Sequence, residues 1–253
     1  MFIETFEKAR LRRRADRRKL KLGKKRQQRV GRTLGQCRRR CRCGTEACRV
    51  CLREFRIWWS GEAVKVLARR PHWTRCSVIT KGLLVPYARL ANFDLDAEVK
   101  RIRKRLERSD IPDRLVLGAL DVSLNLEDNA MVGWQWHLYL LIEGKNDAEL
   151  QQAVKDAFPL EPTALSPYDF EEVADPLKVV TYTYKALFER RSGYNTSQHN
   201  HRTKGQRLKG DDLRELLPFL ANYKVGARLI LRGVSRNGQR LVFTARKRQQ
   251  ANP

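Results

Sequence analysis

The clearest alternation of apolar and polar positions runs through Gly133-Trp-Gln-Trp-His-Leu-Tyr-Leu-Leu-Ile142. With the two-residue period of a strand, Trp134, Trp136, Leu138, Leu140 and Ile142 face one way, and Gln135, His137 and Tyr139 the other. A second alternation precedes it between Arg114 and Leu126. There Leu120, Val122, Leu124 and Leu126 lie on one side, and Asp121, Ser123 and Asn125 on the other. The connection over 127–133 is short enough for a hairpin. Pairing of the two strands would set the Asp121/Ser123/Asn125 row beside the Gln135/His137/Tyr139 row. An unpartnered buried polar group costs about 1–3 kcal/mol, so this patch needs either internal hydrogen-bond partners or a role in handling a metal or a phosphate.

Helical periodicity appears elsewhere. Residues 52–68 place Phe55, Trp58 or Trp59, and Val64 or Val66 on one side, before Pro71. A short strand is expected over Cys76-Ser-Val-Ile-Thr80. Asp94 or Asp96 caps a helix whose apolar face is Leu95, Val99, Ile102 and Leu106, with Lys100, Arg101, Arg103, Lys104 and Arg105 opposite. Asp147 caps another with Leu150, Val154 and Phe158. Asp175-Pro176 marks a strong helix start, followed by an apolar face of Leu177, Val180, Tyr184, Leu187 and Phe188. Tyr182 falls off that face, one turn before Lys185. Residues 189–211 read as a polar, basic loop containing His199-Asn-His201. Leu213 to Tyr223 reads as a helix interrupted by Pro218. Asn237-Gly238 signals a tight hairpin between Arg228–Val234 and Arg240–Thr244.

Charge narrows the partners. The 253 residues carry 53 Lys and Arg against 28 Asp and Glu, a formal charge of +25. Such an array gains by displacing counterions from a phosphate backbone, which points to nucleic acid. DNA is the first expectation and RNA fits the same charge. No apolar run approaches the ~18 residues of a membrane span. The segment from Phe2 to Arg14 turns basic without the apolar core of a secretory signal, so a cytoplasmic, nucleic-acid-associated protein is expected. Residues 1–36 read as a basic flexible arm that orders on phosphates, with Arg12, Arg13, Arg14, Arg17, Arg18, Lys24, Lys25 and Arg26 as its contacts. Arg38, Arg39 and Arg40 extend the set.

Of six cysteines, five lie between Cys37 and Cys51. Clustered thiols in a chain without an export signal read as metal ligands. Cys48-x2-Cys51 can present two thiolates to one tetrahedral ion, and zinc wants four. The expected set is Cys37 or Cys41 with Cys43, Cys48 and Cys51. An all-thiolate shell leaves no open position, so this zinc is structural.

In order and spacing these parts resemble the HUH endonuclease superfamily, which includes the rolling-circle replication initiators of plasmids and related transposases. The resemblance covers roughly residues 37–190. It is carried by the cysteine knuckle Cys43-Gly-Thr-Glu-Ala-Cys48-Arg-Val-Cys51 leading to Trp58-Trp59, and by a strand ending in threonine at Ser77-Val-Ile-Thr80. The strand Leu117-Gly-Ala-Leu-Asp-Val-Ser-Leu-Asn125, the His-hydrophobic strand at His137, and Tyr182-Thr-Tyr-Lys185 complete it. The departure is Tyr139, which stands where the family has its second metal-binding histidine; a phenol with a pKa near 10 is a poor ligand for Mg²⁺ or Mn²⁺ at neutral pH. The resemblance implies that His137, with Asp121 and the Tyr139 position, holds a catalytic Mg²⁺ or Mn²⁺, and that Tyr182 attacks a single-stranded DNA phosphate with help from Lys185. Either Asp121 and solvent complete a weakened metal site, or metal-dependent cleavage has been lost. The alternative function is a zinc-containing nucleic-acid-binding regulator of the same fold. The expected architecture is α+β: an antiparallel-sheet palm of the HUH/RRM-like type, helices mainly on one face, strands near 75–81, 114–126 and 133–143 adjacent. Its parts would be the arm, a zinc module with its helix over 37–70, an HUH-like domain over 71–225, and a C-terminal hairpin and basic tail over 226–253.

Overall fold

The computed structural model describes residues 3–79, 82–109, 111, 114–127, 130–159, 167–196, 199–202 and 205–244. Thr80 and the tail beyond 244 lie outside them. In chain order the elements are α1 (Phe6–Lys21), α2 (Lys25–Gln36), α3 (Arg49–Leu67), β1 (Trp73–Val78), β2 (Leu84–Pro86), α4 (Leu95–Arg108), β3 (Val116–Glu127), β4 (Ala130–Glu143) and α5 (Ala148–Ala157). Then come β5 (Tyr168–Glu172), α6 (Pro176–Thr183), β6 (Glu189–Thr196), β7 (His199–Arg202), β8 (Gln206–Arg207), α7 (Gly210–Leu220), β9 (Leu229–Arg232), β10 (Val234–Asn237) and β11 (Arg240–Phe243).

The frame is the long β3–β4 hairpin. Its register sets Asp121 opposite His137, Ser123 opposite Gln135 and Ala119 opposite Tyr139, so the two polar rows share one face as the alternation required. Around it a nine-stranded sheet runs in the order β5-β1-β4-β3-β6-β7, with β2 on β4, β8 on β6 and β9 on β3. The strands near 75–81, 114–126 and 133–143 are therefore neighbours. The α+β class holds, but the sheet is mixed: β6 runs parallel to β3, pairing Leu124 with Arg190 and Asn125 with Arg191.

Helices cover both faces rather than mainly one. On the apolar face Trp136 stacks on Phe93 at 4.9 Å and meets Phe219 of α7 edge-on at 5.9 Å. On the polar face α6 lies against β3 and β4, backed by α3. The polar face can be covered because its charges find partners inside the protein. Asp121, Ser123, Gln135, His137 and Tyr139 are all buried.

Three further expectations change. The basic arm is a helical hairpin, α1–α2, packed on α3 and α7. Ala9, Leu20, Val30 and Leu34 are buried, and the buried pair Asp16–Arg49 (2.9 Å) ties α1 to α3. Four spaced apolar positions suffice to anchor a hairpin whose other positions are cationic. The loop over 189–211 carries β6, β7 and β8, which have no apolar alternation to announce them; His199 and His201 lie on β7, opposite Thr196 and Tyr194. Residues 226–244 pack onto the rest of the protein: β9 joins the main sheet through β3, and Trp58 of α3 donates to the Gln239 carbonyl (2.8 Å).

The helix at Asp175-Pro176 starts as expected: the Asp175 side chain accepts from the Lys178 amide. It stops at Thr183, short of Leu187 and Phe188, and Leu177 is exposed rather than packed. Its last carbonyls are taken by α3, with Arg56 donating to Thr181 (2.9 Å) and Trp59 to Val180 (3.3 Å). Side chains thus satisfy the groups that further helical turns would otherwise have capped.

Candidate functional site

Two centres lie side by side. The first is the cysteine cluster. Cys37 caps the C-terminus of α2, Cys48 is the N-cap of α3, Cys51 sits in the first turn of α3, and Cys43 comes from the intervening loop. Their sulfurs all lie within 4.8 Å of one another, with Cys37–Cys51 and Cys37–Cys48 at 3.6 Å and Cys43–Cys51 at 3.7 Å. A tetrahedral zinc with bonds of about 2.3 Å sets its sulfurs about 3.8 Å apart, so the donor set fits that ion. The Cys43 thiol is held well below the ordinary thiol range, because Cys48 and Cys51 hydrogen-bond to its sulfur. Cys51 is pushed well above that range by Cys43 and Cys48. One charge is easily placed among these sulfurs and more are not, unless a cation joins them. The fifth cysteine is Cys41, which is exposed. Its backbone closes a tight turn with Arg38 (3.0 and 3.1 Å), and that turn holds Arg38, Arg39 and Arg40 exposed.

The second centre is the polar face of β3–β4 under the end of α6. Lys185 reaches into it from just beyond the helix. Its ammonium lies 3.3 Å from Asp121 Oδ2, donates to the Tyr139 hydroxyl at 3.1 Å, and sits 3.9 Å from the Tyr182 ring centroid. The Tyr139 and Tyr182 rings meet edge to face at 5.3 Å. His137 stacks alongside Tyr139 at 6.4 Å, and its Nε2 is 2.9 Å from the Ser123 hydroxyl. Tyr182 and Lys185 therefore meet as the sequence suggested, although Lys185 is not on the helix.

Burial by itself would raise the Tyr182 pKa; Lys185, Tyr139 and Arg191 outweigh it, and the phenol falls below its ordinary value. Tyr139 goes the other way, pushed up to about 12 chiefly by burial. Lys185 is raised despite burial, because Asp121 and the two phenols surround it. It is a fixed cation at neutral pH. Arg191, opposite Asn125 in the sheet, adds a second positive charge; burial opposes that charge, but Tyr139, Asp121 and Tyr182 outweigh it.

No family model, curated protein or solved structure matches this chain. The chemistry must be read from the residues. Among those described, only the four cysteines form a cluster of three or more metal-ligating side chains. Lys185 pairs with Asp121 Oδ2 and Ser123 contacts His137 Nε2, while the buried Asp121 Oδ1 has no hydrogen-bond partner. Tyr139 is a poor donor for Mg²⁺ or Mn²⁺, because burial keeps its phenol neutral, and the positive charge beside Asp121 is supplied by Lys185.

Of the expected phosphate contacts, Arg14, Arg17, Arg18, Lys24, Lys25 and Arg26 are exposed, as are Arg38, Arg39 and Arg40. Arg12 and Arg13 are turned inward: Arg12 pairs with Glu4 (2.8 Å) and Arg13 donates to the Cys37 carbonyl. Sequence reasoning missed Glu46, Arg191 and Arg228. Glu46 is a spacer residue inside the cysteine run, and the two arginines stand among many in a basic chain. No local pattern marks them.

Proposed function

We propose that the protein is a nucleic-acid-binding phosphoryl-transfer enzyme of the HUH type, which nicks single-stranded DNA through Tyr182 to start rolling-circle replication or transposition. The observation that carries the reading is the half-buried Tyr182 phenol, lowered in pKa, beside the Lys185 ammonium and Arg191. A nucleophile of this kind is activated by a lowered pKa, and fixed cations stabilise charge that develops on a transferring phosphoryl group. The Tyr182 oxygen forms a bond to phosphorus as the P–O3′ bond breaks. The phenol gives up its proton and the departing 3′ oxygen gains one, leaving a phosphotyrosine and a free 3′ hydroxyl. Substrate approach is favoured by the net charge of +25 and by the exposed arginines of α1, α2 and the Arg38–Cys41 turn.

The test is to incubate the zinc-loaded protein with a randomised single-stranded DNA pool and seek an adduct that survives SDS. The wild type is expected to form it without added Mg²⁺ or Mn²⁺, because Lys185 supplies the cation. Tyr182→Phe is expected to lose all adduct while keeping its fold and its DNA affinity. An adduct in Tyr182→Phe would remove Tyr182 as the nucleophile.

The second reading is a zinc-containing binder that does not cut. It is favoured by the engagement of Asp121 with Lys185 and of His137 with Ser123, and by the neutral Tyr139 phenol, a poor ligand for a divalent ion. Salt-sensitive binding without any adduct, with or without Mn²⁺, is its signature.

A further inference from the structure

The loop between Cys43 and Cys48 is joined to the tyrosine centre by a buried chain of hydrogen bonds. Glu46, between Cys43 and Cys48, is fully buried, and so is Arg228. Arg228 Nε donates to Glu46 Oε2 at 3.1 Å. Its Nη2 donates to the Lys185 carbonyl at 2.9 Å and its Nη1 to the Leu120 carbonyl at 2.8 Å, beside Asp121, whose Oδ1 is 3.8 Å from the same nitrogen. One guanidinium thus holds the backbone at Lys185 and at Leu120, the residue before Asp121. The planar fork of arginine can do this; a lysine ammonium, a point charge, cannot.

The other end of the chain is anchored just as firmly. Glu46 Oε1 accepts from the Tyr184 hydroxyl and from the Gly226 amide (2.9 Å). The loop carrying it is stitched to the segment before Arg228: Glu46 N donates to the Tyr223 carbonyl (3.0 Å), Val225 N to the Gly44 carbonyl (2.9 Å), and Thr45 bridges Lys224. The position of Arg228 is therefore set from the loop that connects Cys43 to Cys48. Cys43 and Cys48, at the two ends of that loop, belong to the four thiols that fit zinc.

We propose that Arg228 is a positioning residue that makes the Tyr182–Lys185 geometry depend on metal at Cys37, Cys43, Cys48 and Cys51. Losing the metal frees the Cys43–Cys48 loop, Glu46 moves with it, and Arg228 no longer fixes the Lys185 carbonyl. The ammonium then leaves its place between Asp121, Tyr139 and Tyr182. The zinc is thus structural in its shell and regulatory in its effect. This inference rests on the reading of Tyr182 and Lys185 as the reactive pair, but its test does not need DNA cleavage.

The experiment uses the full chain with 3-fluorotyrosine at all tyrosine positions. The Tyr182 ¹⁹F resonance is assigned by its loss in Tyr182→Phe, and Tyr168 on β5 serves as a distant reporter of the sheet. Chelation of zinc is expected to shift the Tyr182 resonance, leave that of Tyr168 in place, and reverse when zinc is added back. Glu46→Gln and Arg228→Lys, both zinc-loaded, are expected to show the shifted Tyr182 resonance with unchanged zinc content. Their Tyr182 resonance should no longer respond to chelation. Adduct formation should fall about tenfold in each, within the usual range for coupling between sites. A Tyr182 resonance indifferent to zinc in folded wild type would overturn the proposal. If chelation also shifts Tyr168, the zinc-loaded variants decide, and wild-type resonances in both would overturn it. If the resonances respond but the wild type forms no adduct, the nucleophile reading fails and the coupling stands.

Discussion

Tyr182 and Tyr184 stand two positions apart, and their phenols meet opposite surroundings. Tyr184 is fully buried; its hydroxyl goes to Glu46 and its ring lies 4.3 Å from the Arg228 guanidinium. Burial, then the Glu46 charge, raise its pKa well above the ordinary value, so it stays a neutral structural donor. Tyr182 is half-buried and lowered because Lys185 and its neighbours outweigh burial. The phenolate is the reactive form, so adduct formation should rise with pH and level off below the ordinary tyrosine pKa of about 10. Lys185→Met removes the ammonium but not the burial, which alone raises the phenol. The half-maximum should therefore move to higher pH and the rate at neutral pH should fall, since less of the phenol is ionised there. Adduct yield followed from pH 6 to 10.5 checks this; an unshifted profile would remove Lys185 as the activating group.

The cysteine turn shows how little separates a ligand from a spectator. Cys41 and Cys37 are equally available by spacing, yet Cys37 closes α2 and points at the other sulfurs, whereas Cys41 completes the exposed turn with Arg38. Cys48→Ser should abolish stoichiometric zinc and unfold the region that the metal orders, since a structural thiolate site contributes ~10 kcal/mol or more to folding. Cys41→Ser should keep one zinc per chain and the wild-type melting temperature. Metal analysis with thermal denaturation separates the two, and zinc loss in Cys41→Ser would reassign the ligands. Among the other elements, the caps at Asp94, Asp147 and Asp175 are where the sequence places them, because a cap needs only a side chain and an amide three residues on. The early end of α6 was not legible, since it depends on Arg56 and Trp59 from a distant helix.

Across the whole protein, the basic N-terminal hairpin joins the core instead of trailing from it. Its contact with α3 includes Asp16–Arg49 at 2.9 Å, with both side chains buried, and Arg49 also donates to the Ala186 carbonyl next to Lys185. Removing one partner of a buried ion pair strands the other charge. Asp16→Ala should therefore destabilise the protein by on the order of 3 kcal/mol, although it increases the net positive charge. Urea denaturation measures the loss. A variant as stable as wild type would show the hairpin to be the appended arm that its composition suggests. A docked hairpin also offers its exposed cations, Arg14, Arg17, Arg18 and Lys24 to Arg26, on a helical frame.

Local pattern was enough for the β3–β4 hairpin and its face assignment, for the helix caps, and for a thiolate metal centre. Each follows from residues close in the chain: two-residue alternation, a cap and its amide, a pair of cysteines one helical turn apart. Tertiary structure decided the rest. It selected Cys37 over Cys41, buried the polar face under α6, and brought Lys185 to Asp121. It also placed Arg228 between Glu46 and Lys185, residues 182 and 43 positions away. Such pairings are invisible to periodicity because an arginine or glutamate reads as surface until a partner buried with it offsets the cost of removing both from water.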